Sequence, residues 1–316
     1  MNSALIVQTS YMIDSRLRIL QLVAEHGTVT AAARVLHYTP SAVSYQLRQL
    51  AADVGVELMV QQGRGVRLTS AAHVLLHHAE LLQEQWENAR ADLVGAGVEP
   101  SGHVTVCGFS TAASRLLPPA VAAVRAEFPR LSVSVVEAEP DRCFDLVLSE
   151  RADLALLVAT PDSPPVTDRR FEQRPLVEDP LDLVVPLDHD LAGRSRVTLA
   201  DAAAEPWIVG NPGTTYHQLL LAACLSAGFT PRLAHYADEW GTGTALVAHG
   251  LGVFLVPRLA QLADEARVAR IPLRGETAPV RRIVAVTRRG AGQHPVPRHL
   301  VRTVTDTARQ LLADGV

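Results

Sequence analysis

A chain of 316 residues is too long for one ordinary compact domain and implies two or three units. With 48% apolar residues it can bury a sizeable core, and no stretch has the composition of a disordered segment. A formal charge of −4 excludes a uniformly basic nucleic-acid coat, so DNA contact would need a local patch.

Residues 1–14 read as an N-terminal tail, with Met12 as an alternative start. From 15 to 24, Leu17, Leu20, Val23 and Ala24 form a helical stripe that Gly27 ends. Thr28 offers an N-cap for a second helix with Ala31, Ala32, Val35 and Leu36 inward, and His37-Tyr38 makes a turn. Thr39-Pro40 joins a capping hydroxyl to a proline at the first helical position. The helix that follows buries Val43, Leu47 and Leu50. Leu58-Met59-Val60 and Val66-Arg67-Leu68-Thr69 flank Gly63-Arg64-Gly65, which reads as two short strands around a tight turn. Three helices and a hairpin over residues 15–69 make a winged helix-turn-helix. This stretch carries a net charge of +3, leaving −7 on the rest. All 29 residues of the Lys+Arg count are Arg, as codon bias in a GC-rich genome gives. Every lysine-type contact is therefore a planar guanidinium instead.

Residues 70–96 form a long helix. Ala71, Val74, Leu75, His78, Leu81, Leu82, Gln85, Ala89 and Asp92/Leu93 follow a heptad-like spacing. A lone helix cannot bury such a seam, so this one is expected to dimerise. Gly95, Gly97, Pro100 and Gly102 mark a hinge over 97–102. Strands are then expected at 103–109, 131–137 and 153–158, with helices at 112–127 and 142–150. A second lobe, entered near 175–186, has strands at 207–209 and 253–256 and helices at 216–227 and 243–249. A strand at 282–288 and a helix at 299–312 close the chain. The alternation predicts an α/β body with mostly parallel sheets and helices on both faces. Lobe I takes residues 103–177 and 278–316, lobe II residues 178–277, and a cleft lies between them.

The third helix turns Thr39, Pro40, Ser41, Ser44, Tyr45 and Arg48 outward. Ser41 and Tyr45 can read base edges in a major groove, and Pro40 can touch a thymine methyl. Thr30, Ser44 and Arg48 suit phosphates. Arg64 at the hairpin tip suits a narrow minor groove, and Arg67 a phosphate.

The run "GTVTAAARVLHYTPSAVSYQLRQLAADVGVEL…GRGVRLT" resembles the N-terminal domain of LysR-type transcriptional regulators. The family pattern falls on Ala31-Ala32, Ser44, Leu50/Gly55/Leu58 and Leu68-Thr69. "LLPPAVAAVRAEFPRLSVSVVEA", "ADLALLV", "AGFTPRL" and "ALVAHGLGVFLVP" resemble the family's second half. Ala51, Met59, Gln61 and Ala72 depart from the usual Glu, Phe, Arg and Gly; loss of a basic residue at Gln61 removes one phosphate contact. The resemblance implies a two-lobed, periplasmic-binding-protein-like effector domain. It also implies a homodimer or homotetramer on an interrupted inverted repeat of double-stranded DNA, with RNA polymerase a further partner.

Ligands of open α/β sheets bind at strand ends and domain interfaces. Phe109-Ser110-Thr111-Ala112 and Gly210-Asn211-Pro212-Gly213-Thr214-Thr215 each end a strand and open a helix, where free N–H groups favour an anion. Ser110, Thr111, Asn211, Thr214 and Thr215, with Glu139, Asp238 and Trp240 beside them, are the candidate contacts of a small carboxylate or amino-acid-like effector.

Other chemistries find no motif. There is no HExxH, GxSxG, Walker sequence or GxGxxG after a strand, so no catalytic residue and no cofactor are assigned. His73 and His77 lie one turn apart without a third ligand, which leaves a metal site without support. Cys107, Cys143 and Cys224 are far apart, include no CxxC and suit a reducing compartment as small core residues. No basic residue precedes an apolar signal-like run, and the most apolar stretch, 245–256, is interrupted by His249 and stopped by Pro257-Arg258. A bacterial cytoplasmic protein with no membrane contact is expected. A solute-binding or catalytic α/β protein with a helical appendage is the alternative, and a constitutive architectural DNA binder a third.

Overall fold

The computed structural model describes residues 13–63, 65–97, 99–262 and 267–314. Met12 and Arg64 lie outside them.

The N-terminal head is built from local signals. Helix α1 (Ser15–His26) starts where the Asp14 carboxylate accepts from the Arg16 N–H and ends at Gly27 with φ 67°. Thr28 caps α2 (Val29–Leu36) through the Ala31 N–H, and the left-handed His37 closes it. Thr39 and Pro40 open α3 (Pro40–Val54), which Gly55 ends at φ 76°. Strands β1 (Met59–Gln62) and β2 (Gly65–Leu68) pair antiparallel, with Gln62 opposite Gly65. Thr69 then caps α4 (Ser70–Gly95) through the Ala72 N–H and donates its hydroxyl to the Glu57 carbonyl, 2.7 Å away. One side chain thereby ties the hairpin to the long helix.

The expected core residues Leu20, Val23, Ala32, Val43, Leu47 and Leu50 are buried. Ala24 is exposed instead, and Ile19 and Leu22 take its place inside. The reason is tertiary. Helix α1 packs on its own head and also on lobe I, where Ile19 and Leu22 share one apolar cluster with Phe144 and Leu148. A helix covered on two sides buries more than one stripe.

The body is a mixed sheet, which corrects the expectation of mostly parallel pairing. Its strands are β3 (Gly102–Gly108), β4 (Leu131–Glu137), β5 (Leu154–Val158), β6 (Phe171–Pro186), β7 (Pro206–Val209), β8 (Arg232–Tyr236), β9 (Val253–Pro257), β10 (Val268–Ile271) and β11 (Val280–Arg288). Their order is β4-β3-β5-β11-β6-β9-β7-β8, with β10 beside β6. The pairs β3/β4, β3/β5, β7/β8 and β7/β9 are parallel. Strand β11 runs antiparallel to both β5 and β6, and β6 antiparallel to β9 and β10. A chain that leaves lobe I on one strand must return on another, so the two crossover strands run in opposite directions. Residues 175–186, expected as an entry to the second lobe, belong to the single strand β6, with an irregularity opposite Ile283/Val284.

Helices α5 (Leu117–Glu127), α6 (Pro140–Leu148), α7 (Thr215–Ser226), α8 (Trp240–Ala248) and α9 (Pro295–Asp314) cover the sheet. Separate apolar clusters fill its two faces in each lobe. The helix expected from 112 to 127 is divided: residues 112–116 form a π-helical turn, and α5 starts at Leu117. Pro118 and Pro119 explain this, because neither can donate to the preceding turn. The divided helix follows Ser110 and Thr111 directly, which brings the irregular turn to the cleft.

Candidate functional site in the cleft and on the head

A cavity of about 240 Å³ opens between the lobes. Ser110, Thr111, Glu139, Thr214, Thr215, Asp238 and Trp240 all line it. Asn211 does not. It donates its N–H to Asp238 Oδ1 at 2.8 Å and its amide Nδ2 to Oδ2 at 2.6 Å, so it positions another lining residue. Thr214 is already engaged as the cap of α7, accepting from the His217 N–H at 3.2 Å and donating to the Asn211 carbonyl at 2.9 Å. Gly210 permits this turn: a Cβ there would stand 2.7 Å from the Thr214 hydroxyl.

Thr111 differs. It is 2% exposed, and its hydroxyl has no hydrogen-bond partner among the described residues. A buried hydroxyl left unbonded costs about 1–3 kcal/mol, which a ligand in the cleft would relieve.

Sequence reasoning missed Arg281, the second residue of β11. It lines the cavity, is 6% exposed, and lies with its guanidinium 4.8 Å above the Phe109 ring. Its Nε donates to Asp179 Oδ2 at 2.8 Å. Burial pushes Asp179 up and Arg281 down from their usual ranges, and the contact between them opposes both shifts. A signal was present in the sequence. Strand periodicity puts Arg281 on the same face as Ile283, so a charge sits on a face that is otherwise buried. Tyr216 and Trp240 line one wall with centroids 5.0 Å apart, and Phe254 packs against both behind them. The Tyr216 hydroxyl donates to the Leu255 carbonyl.

On the head, Thr30, Thr39, Pro40, Ser41, Tyr45, Arg48 and Arg67 are exposed and Ser44 is half-buried. Tyr45 is 55% exposed, which leaves most of its ring free to touch another surface. The Thr39 and Ser41 hydroxyls lie 3.0 Å apart, so Ser41 is oriented by the cap.

Helix α6 joins the two regions. Glu139 and Pro140 at its start line the cleft, while its other end meets the head. Asp145 Oδ1 lies 2.8 Å from His26 Nε2, and the Ser149 carbonyl accepts from Arg18 at 2.9 Å. Around this contact, Arg170 bridges Asp168 and Glu25, and Arg151 donates to the Val35 carbonyl at 3.1 Å. Further along α4, Glu87 and Arg288 form a buried pair at 2.6 Å that fastens the long helix to lobe I.

A winged head joined to a two-lobed body with a cleft is the architecture of a ligand-responsive DNA-binding regulator. Two family models match: "LysR substrate binding domain" over residues 97–309 and "Bacterial regulatory helix-turn-helix protein, lysR family" over residues 15–73. The chain belongs to the LysR family of bacterial transcriptional regulators, whose members regulate transcription and are not enzymes. It is 28% identical to the HTH-type transcriptional regulator AlsR of Bacillus subtilis over 249 residues, 76% of this chain and 78% of that one. The solved OxyR C206 mutant of Corynebacterium glutamicum is 23% identical and has a TM-score of 0.61, covering 95% of this chain and 93% of its own. Full-length CbnR complexed with its target DNA is 22% identical with a TM-score of 0.53, covering 92% of this chain and 98% of its own. Among the described residues no helix is long and apolar enough to cross a membrane.

Proposed function

We propose that this regulator senses a small carboxylate or amino-acid-like metabolite in the interlobe cleft and reads duplex DNA with residues 15–69. Residues 70–96 pair two chains, 97–102 flex as a hinge, and 103–316 form the sensor. The homodimer presents two heads to an interrupted inverted repeat in the bacterial cytoplasm. Dimers join further into a tetramer, and RNA polymerase is the partner through which occupancy is read out.

Three observations support this reading. Part of the α4 seam is turned away from its own chain, with Val74, Leu82 and Leu93 at 60%, 55% and 52% exposure, while Leu75 packs on the core of the head. The exposed face of α3 opens on a capped N-terminus. CbnR, similar in fold, has been solved on its target DNA.

The observation that carries the effector class is the unpartnered Thr111 hydroxyl in a cavity that the buried Arg281 also lines. A carboxylate can accept from both. Calorimetric titration with a panel of small carboxylates and amino acids tests it on the wild type, Thr111→Ala and Thr214→Ala. A binder should lose about tenfold or more with Thr111→Ala, since a hydrogen bond to a charged group is removed. Thr214→Ala should also destabilise α7, by about 1 kcal/mol. Unchanged affinity in both variants overturns the assignment.

A further inference from the structure

The cleft is acidic where it is most open. Glu139, between β4 and α6, belongs to lobe I, and Asp238, between β8 and α8, to lobe II. Both line the same cavity and both are exposed, whereas Thr111 and Arg281 in the same cavity are buried. The site thus has a buried base suited to an anion and a mouth with two carboxylates, one from each wall. We propose that the mouth is a cation clamp, in which Glu139 and Asp238 together hold the amino group of a zwitterionic effector whose carboxylate lies toward Thr111. The inference rests on the reading of this cleft as the effector site.

Neither carboxylate is used up by the fold. Glu139 precedes α6 but makes no capping hydrogen bond, and neither residue forms an ion pair among the described residues. Asp238 is held in place by two donors from Asn211, one on each oxygen. A carboxylate has about four acceptor positions, so two remain. Like charges facing each other without a counter-ion are unfavourable, and a cation between them removes that cost. The cleft walls, and then Asp238, Glu137 and Asp141, push the Glu139 carboxyl above its usual range. The Thr111 hydroxyl is the independent sign that this cavity is built for a ligand.

An organic ammonium fits better than a metal. No group of three or more His, Cys, Asp and Glu side chains gathers there among the described residues, so a metal would find too few ligands. Trp240, which also lines the cavity, is an aromatic residue of the kind an ammonium favours. Because the clamp takes one carboxylate from each lobe, the ammonium binds best when the lobes approach, and so favours the closed state.

Binding to the full-length protein is measured for the proteinogenic L-amino acids, each beside the carboxylate lacking its amino group. Calcium and magnesium chloride are titrated alone. Wild type, Glu139→Gln and Glu137→Gln are compared, the last removing a nearby charge that does not line the cavity. The expected result is an amino acid that binds wild type at least about tenfold more tightly than its desamino partner. Glu139→Gln abolishes that preference without weakening the desamino partner, and Glu137→Gln keeps it. If desamino carboxylates bind as tightly, or Glu139→Gln keeps the preference, the clamp is overturned while the carboxylate reading stands. Saturable binding of either metal ion that Glu139→Gln removes also overturns it. If neither amino acids nor carboxylates bind, the effector reading of the cleft falls, and the clamp with it.

Discussion

At the scale of single residues, the proposed reading of the head distinguishes two kinds of DNA contact. Ser41 sits beside the cap of α3 with its hydroxyl held near Thr39, while Arg48 lies exposed about two turns further along. A small oriented hydroxyl at a helix N-terminus can discriminate bases, and a guanidinium further along, away from the groove-entering end, suits a phosphate. Ser41→Ala is therefore expected to relax sequence preference, costing about 1–3 kcal/mol on the preferred site and little on others. Arg48→Ala should weaken all sites alike and lower the salt slope by about one. Gel shifts over a salt series on operator variants check both; identical profiles for the two variants would refute the division of roles. Gln61, exposed on β1, offers no charge to replace a lost arginine, so the salt dependence rests on few contacts.

At the scale of elements, α4 has two faces with different duties. Ala72, Leu76 and Glu87 are buried on its own chain, and Glu87 meets Arg288 there. Val74, Leu82 and Leu93 are exposed on the rest of the helix. Leu82→Asp should split the proposed dimer, as light scattering on a sizing column would detect, with little change in the unfolding of the monomer. A stable dimer carrying Leu82→Asp would place the interface elsewhere. The periodicity of α4 was legible in the sequence as one seam. The second face was not, because the partner of Glu87 lies 201 positions away.

At the scale of the whole molecule, the head is docked on lobe I through charged side chains. Burial raises the Asp168 carboxyl, but the Arg170 side chain and N–H, with Arg289, outweigh this and hold it below its ordinary value of 3.8. A carboxylate held low in the folded state contributes stability that is complete above the unfolded value and is lost as pH falls through the folded one. Wild type should exceed Asp168→Asn by about 2 kcal/mol from pH 7 to about 5, and the gap should close only below about pH 4. Urea denaturation of both proteins across pH would show it. A gap that closes near neutrality would assign the effect to another group. Helix α6 reaches from the cleft to this docking contact, which gives a physical path between ligand and head.

What could be read along the chain was what neighbouring residues decide. Thr28, Thr39 and Thr69 cap helices through N–H groups three positions on, and Gly27 and Gly55 end helices by adopting positive φ. Residues of the cleft at strand-to-helix turns, Ser110, Thr111, Thr214 and Thr215, were legible for the same reason. Tertiary structure alone decided the direction of the crossover strands and the second buried face of α1. It also decided the meeting of Arg281 with Asp179 across 102 positions. Caps and turns depend on a few consecutive dihedral angles, whereas a buried ion pair or a mixed sheet depends on where distant segments come to rest. The family and much of the lining of its cleft could therefore be recognised from local pattern, and Arg281 with the division of that lining into buried and exposed groups only from the folded chain.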